Sequence, residues 1–421
     1  MQLTSSLDLG YPVFERTILP NGLRVVTEQI PSVRSVSVGV WIGAGSRDES
    51  PDEAGLAHFI EHMVFKGTTR RRGHHIAQRM EAVGGYLNAF TSKEYTCYYS
   101  RALDEHLERA LDVVLDLVLD PTFPEKEIEK EKDVVLEEIK MYADAPEDLI
   151  FDLYESTLYP DSPVGWPVLG FPETVRSFSR ERLRRFVETR YTPNRLVVSV
   201  AGNVEHDEVV ALVRKLTAGF ERAPVPVERA PADAYAPTQV VRPRPIQQAH
   251  LVVGTRAWGL QDDRRTTVSV LNTILGGGMS SRLSQNIREK YGYCYSVYSF
   301  ANMLADAGDF GVYIGVDAGK VERAQALVQR ELDKLATKLV SDRMLNRAKT
   351  QLKGSMMLGL ESMSNRMMRM GKIELAFERY FTLDDVIEQV DAVTAEEVRD
   401  VAAALFAPER MSAVALVPSA V

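Results

Sequence analysis

His58, Glu61 and His62 are residue types that could do chemistry together. The histidines stand four positions apart, so on a helix their imidazoles lie one turn from each other and can reach a single ion. Glu61 falls on the same side of that turn. Two neutral imidazoles suit a divalent metal, and a carboxylate beside them can take a proton from a water that the metal acidifies. The order H-x-x-E-H is the inverted-zincin arrangement of these groups. With 7 His and 59 acidic residues in 421 positions, chance supplies roughly 0.02 matches to H-x-x-[DE]-H per chain.

The flanking residues read as the helix that positions this trio. Ser50 is a cap, Pro51 suits the first turn, Glu53 completes a capping box, and Gly67 suits a left-handed exit. Leu56, Phe59, Ile60 and Met63 form one apolar stripe, with the trio opposite at about 100° per residue. Val64 and Phe65 flank the trio, so its face needs a partner to offset desolvation. A catalytic metal of this kind takes three protein ligands. The helical run 125–142 offers candidates. Ile128, Val135, Ile139 and Tyr142 mark its buried stripe. Glu131 and Glu138, seven apart, project in nearly the same direction at its edge. Such a carboxylate pair is costly without a cation nearby. Glu137 points about 100° away and reads as solvated.

The elements around these helices are mixed. Residues 23–30, 35–42, 86–101, 195–201, 250–255, 308–316 and 412–417 read as strands, and 104–119, 125–142, 320–339 and 342–372 as helices. A chain of 421 residues is too long for one core. The stretch 223–245 carries Pro224, Pro226, Pro231, Pro237, Pro243 and Pro245, a density that excludes a helix or a central strand. It divides the chain into 1–222, a linker at 223–245, and 246–421. The halves look duplicated: YTPNRLVV (191–198) and FAPERMSA (406–413) stand in the same setting. The interval from Pro193 to Pro408 equals that from Arg195 to Arg410, and that from Val38-Gly39 to Val253-Gly254. The fold class is therefore α+β, with two homologous domains, each a mainly antiparallel sheet with helices packed on it. The same interval sends His58, Glu61 and His62 to Thr273, Gly276 and Gly277, so the second half is expected to hold no metal site.

Composition narrows the function classes. Net charge is −9, which argues against nucleic acid as a partner. No apolar run reaches the length of a membrane span. Residues 1–15 show no basic start followed by an apolar core, so no secretory signal is read there. Two cysteines, Cys97 and Cys294, exclude a disulfide framework and make the cytoplasm the expected location. Cys97 reads as core packing, and His74 and His75, after three arginines, as a solvated helix start.

The motifs together resemble the pitrilysin-type (M16) zinc peptidases, nearest to the bacterial members like the mitochondrial processing peptidases. The resemblance runs from LPNGLRVV (19–26) through GLAHFIEHMVFKGT (55–68), GGYLNAFT (84–91) and EKDVVLEE (131–138) into LGGGMSSRL (275–283) and IREKYGYCYSV (287–297). It implies one zinc ion per chain, held by His58, His62 and Glu138, with Glu61 as general base. Glu131 is implied as the carboxylate that orients a histidine ligand. Asn88 and Ala89 match an edge strand that holds the substrate backbone as an added strand. Arg288 and Tyr295 match residues that contact substrate and polarise the scissile carbonyl, from the same chain or a partner. Tyr291, Tyr293 and Cys294 depart from the residues commoner in the family, which bears on substrate preference.

The implied activity is zinc-dependent endopeptidase action on extended peptides or unfolded polypeptides, inside a dimer chamber. The dimer is a homodimer or a heterodimer with a homologous metal-free subunit. The alternative is a non-catalytic structural or peptide-binding subunit related to the complex III core proteins. Such subunits usually lose a ligand or the base, whereas His58, Glu61, His62 and Glu138 are all present here.

Overall fold

The valine-rich run SVSVGVWI becomes a strand, Ser35–Ile42, buried at every position after Ser35. Burial on both faces of one strand requires a layer on each side of its sheet. The computed structural model describes residues 13–419, apart from 227, 228, 230, 231, 233 and 234. Most of the segment read for a secretory signal, and Pro231 of the proline-rich stretch, lie outside the described residues.

Eleven strands form two sheets among the described residues. The first sheet uses β1 (Val13–Ile18), β2 (Arg24–Gln29), β3 (Ser35–Ile42), β4 (Tyr86–Thr91), β5 (Thr96–Leu103) and β6 (Leu196–Gly202). Its order is β1-β2-β6-β3-β5-β4. The second uses β7 (Gln239–Arg244), β8 (Ala249–Ala257), β9 (Cys294–Met303), β10 (Gly308–Val316) and β11 (Ser412–Pro418). Its order is β7-β11-β8-β10-β9. Each sheet has one parallel pairing, β2 with β6 and β7 with β11, and is otherwise antiparallel. With β1 set aside, the two orders are the same in pattern and direction. The repeated Val-Gly pairs fall in β3 and β8, the corresponding third strands.

Two compact units follow the sheets, and neither is continuous in sequence. The first draws on Met1–Val135, Val168–Glu228 and Gly359–Tyr380, the second on Leu136–Pro167, Arg229–Leu358 and Phe381–Val421. In the first, the helix Leu107–Leu119 packs on β3 and β5, and the helix Met363–Phe377 on β6, β3 and β2. Trp41, Val26, Cys97, Val197 and Ala201 meet Met367 and Met370 there. The fully buried indole of Trp41 donates to Ser199 Oγ at 2.8 Å. A Cβ on Gly371 would lie 2.1 Å from that indole nitrogen, so only glycine lets the helix come this close. In the second unit, Leu251, Val253, Phe310 and Val312 pack with the helices Arg265–Gly276, Val321–Thr337 and Ala395–Leu405. Val252, Tyr313, Val414 and Leu416 meet Ile150, Tyr154 and Leu158 of the helix Pro146–Leu158. Full burial of such side chains contributes about 1.5–3 kcal/mol each before entropy is counted.

Several boundaries differ from the sequence reading. The strand expected over 86–101 is a hairpin, because Ser92 N–H donates to Tyr95 O and turns the chain between β4 and β5. The helix expected over 342–372 is two, Asp342–Gly359 and Met363–Phe377, with Ser362 capping the second through Asn365 N–H. Strands β1, β7 and β9 were not anticipated. β7 lies in the proline-rich stretch and holds Pro243, which an edge strand tolerates. Among the described residues, no helix is long and apolar enough to cross a membrane.

Candidate metal centre

The helix that carries the histidines is shorter than its sequence suggests. It spans Leu56–Val64 and begins after Gly55, which has φ +91°. A Cβ there would sit 2.5 Å from Leu169 O, so the entry requires glycine on two counts. Pro51–Glu53 form a separate 3-10 turn, within which the Glu53 carboxylate accepts from Ser50 N–H at 3.2 Å. The first amides of the histidine helix are met instead by Glu49, whose buried carboxylate accepts from Gly55 N–H at 2.8 Å and Ala57 N–H at 2.6 Å. Burial pushes the Glu49 carboxyl well above its ordinary value, and the two backbone hydrogen bonds offset this in part. At the far end, Thr68 Oγ1 and Arg70 Nε both donate to buried Asp116 at 2.7 Å.

Leu56, Phe59, Ile60 and Met63 are fully buried and key the helix into the core. That fixes the opposite side, which carries His58, Glu61 and His62. His58 is 8% exposed, and the two imidazole rings lie 4.6 Å apart. Burial, then the neighbouring His62, pushes the His58 imidazole down to about 3. It is therefore neutral at ordinary pH, the state in which a histidine ligates a metal.

The second helix is Glu125–Asp144. Ile128 and Val135 are buried as read, but Tyr142 is 39% exposed and lies outside the stripe. Glu137 points outward and pairs with Lys140 at 2.6 Å. Glu131, 5% exposed, takes one oxygen to His62 Nδ1 at 2.9 Å and the other to Lys66 Nζ at 2.5 Å. Burial alone would raise its carboxyl, but hydrogen bonds from His62 and Lys66 and the lysine charge outweigh this, and it lies below the ordinary value. An ionised carboxylate only accepts, so the His62 proton is on Nδ1 and its lone pair on Nε2. Two helical turns after Glu131 comes Glu138. One ligand atom each from His58, His62 and Glu138 can be chosen so that all lie within 4.8 Å of one another. The donor set of two imidazoles and one carboxylate fits a divalent metal such as zinc. This is the one such group of three or more His, Cys, Asp or Glu among the described residues.

Glu61 accepts from Thr91 Oγ1 at 2.6 Å. Thr91 ends β4, the outermost strand of its sheet. Asn88 and Ala89 lie on this strand; Asn88 is exposed, its amide donates to Tyr86 Oη at 2.7 Å, and its Oδ1 accepts from Ala89 N–H at 2.8 Å. In the second unit, Arg288 stands on the short helical turn Ser284–Glu289, its guanidinium 5.6 Å from the ring of Tyr295 on the edge strand β9. Tyr295 is 83% exposed. Sequence reasoning missed Glu49, Lys66 and Thr91. Lys66 had a signal, since it falls one turn after His62; Glu49 was hidden by the better cap at Ser50.

The model of the family "Insulinase (Peptidase family M16)" matches residues 24–171, and that of the "Peptidase M16 inactive domain" matches residues 177–352. The chain is 42% identical to a Bacillus subtilis protein named an uncharacterized zinc protease, over 94% of this chain and 96% of that one. It is 45% identical to a Mycobacterium leprae protein similarly named, over 92% and 88%. Its fold is similar to a protease from Helicobacter pylori, with TM-score 0.90 and 23% identity over 97% of this chain and 100% of that one. A Pseudomonas fluorescens structure described as a peptidase M16 inactive domain gives TM-score 0.91 and 21% identity over 97% and 98%.

Proposed function

Because the chain belongs to peptidase family M16, we propose that it is a zinc-dependent endopeptidase acting on extended peptides or unfolded polypeptides. The observation that carries this reading is the convergence of His58, His62 and Glu138, with Glu61 on the same helix as both histidines. Retention of all four groups favours catalysis over a scaffold role.

Zinc held by His58, His62 and Glu138 would supply a Lewis acid and lower the pKa of a water at the cluster. The rest is the work of the chain. Glu61 takes a proton from the attacking water, whose oxygen bonds to the scissile carbonyl carbon, and returns that proton to the leaving amine as the C–N bond breaks. Glu131 holds the His62 tautomer that presents Nε2. The outer edge of β4 binds the substrate backbone as an added strand around Asn88 and Ala89, which selects extended chains over folded ones. Arg288 and Tyr295 donate to the oxygen that gains charge, from the same chain or from a second subunit in a dimer chamber. That dimer is a homodimer, or a heterodimer with a homologous metal-free subunit.

The test is to strip the protein with a chelator and restore zinc while following a quenched-fluorescence peptide library. Cleavage lost with the metal and regained with zinc supports the proposal. Cleavage that survives verified metal removal contradicts it.

A further inference from the structure

We infer that Thr91 is the positioning residue of Glu61, so that the same strand that would bind substrate also aims the base. This rests on the peptidase reading above. A glutamate turns broadly about its terminal bond. A general base must nevertheless hold an oxygen within hydrogen-bond reach of the proton it takes. The 2.6 Å bond from Thr91 Oγ1 to Glu61 Oε2 restrains that rotation.

The hydroxyl can do this only if it is itself held, and the structure holds it through a closed circuit. Threonine is stiff at χ1. Thr91 pairs across the hairpin with Thr96, which is fully buried and donates to Ala44 O at 3.1 Å. The hairpin turn is fastened to the segment that follows β3 by Ser46 N–H on Ser92 O at 3.1 Å and Arg47 N–H on Lys93 O at 2.7 Å. The Arg47–Glu94 ion pair, 2.7 Å and nearly dry, reinforces it. Two residues on, Glu49 caps the histidine helix that carries Glu61. Helix, hairpin and cap thus form one loop of contacts, and the Thr91–Glu61 bond closes it at the chemistry. The Thr91 hydroxyl bonds Glu61 at 2.6 Å and lies 3.4 Å from Thr96 Oγ1, and neither of these is one of the three proposed ligands, so its loss should leave metal binding intact.

The test compares Thr91→Val and Thr91→Ser with the wild type in the full chain, using one peptide selected from the cleaved library. Valine keeps the branched shape and the strand preference but has no donor. Expected is a fall in kcat of about 10- to 100-fold for Thr91→Val, the scale of one hydrogen bond to a charged group. KM and the zinc affinity, measured by competition with a chelator, should stay within about twofold of wild type, because neither depends on where the Glu61 carboxylate points. Thr91→Ser should recover most of kcat. A Thr91→Val protein with full kcat overturns the inference, as does a Thr91→Ser protein as slow as Thr91→Val. A rise in KM or a parallel loss of zinc affinity would assign Thr91 to strand or site structure instead. Zinc-loaded wild type that cleaves nothing would overturn the peptidase reading itself, and this inference with it.

Discussion

The Nδ1 of His62 lies 2.9 Å from Oε1 of Glu131. One face of the carboxylate helix therefore serves the same histidine in two ways: through Glu131 from behind, and through Glu138 at the ligand cluster. Glu131 is in turn neutralised by Lys66. This pairing sets the ring orientation and basicity of His62.

Replacing that carboxylate should weaken metal binding without removing a ligand. Glu131→Gln is expected to lower zinc affinity about 10- to 100-fold. Competition titration of metal-free protein against a chromogenic chelator measures this. Unchanged affinity would mean that Glu131 does not tune His62.

The cap at Glu49 makes a stability prediction. Glu49→Ala leaves the Gly55 and Ala57 amides without their buried acceptor, at a cost of about 1–3 kcal/mol for each. Glu49→Gln, which keeps an acceptor oxygen, should cost less. Denaturant unfolding of metal-free protein separates the two variants, and equal stabilities would refute the capping role.

How much of this site could be read from the sequence follows from the range of each interaction. H-x-x-E-H and the seven-residue spacing of Glu131 and Glu138 are periodic within one helix, so spacing alone revealed which groups share a face. Glu49 and Thr91 act across loops and strands, where spacing carries no such information. Ser50 looked like the cap because Ser, Pro and Glu follow cap statistics. The observed helix starts later because Gly55 takes φ +91° and redirects the chain. In the fold, Val38-Gly39 and Val253-Gly254 marked the repeat, and they occupy equivalent strands. The hairpin 86–103 was hidden because Ser92, Lys93, Glu94 and Tyr95 turn without glycine or proline. The units' exchange of the helices Pro146–Leu158 and Met363–Phe377 left no local trace at all.

His58 gives a pH dependence. Its imidazole is lowered from an ordinary value of 6.5 to about 3 by burial and His62. The unfolded chain therefore binds a proton that the folded chain refuses between these values. By linkage, metal-free protein should lose stability as pH falls from 6.5 toward 3. Histidine-resolved NMR of the metal-free protein should show no protonation of His58 at pH 5. A midpoint near 6.5 would contradict the buried, neutral imidazole.

The contact of Gly371 with Trp41 predicts that Gly371→Ala destabilises the first unit despite alanine's better helix propensity. Propensity would contribute about 1 kcal/mol in alanine's favour. The new Cβ would meet the fully buried indole at 2.1 Å, and overpacking of this kind costs about 1–3 kcal/mol or more. A variant as stable as wild type in urea would show that the indole can give way.

The central claim is that Glu61 takes and returns the proton while His58, His62 and Glu138 hold zinc. It is tested most directly by peptide-library cleavage with wild type and Glu61→Gln, both zinc-loaded and checked for metal content. The account predicts equal zinc in both, cleavage by wild type, and a loss of at least about 100-fold in the variant. Equal cleavage by the two proteins at equal zinc would contradict it.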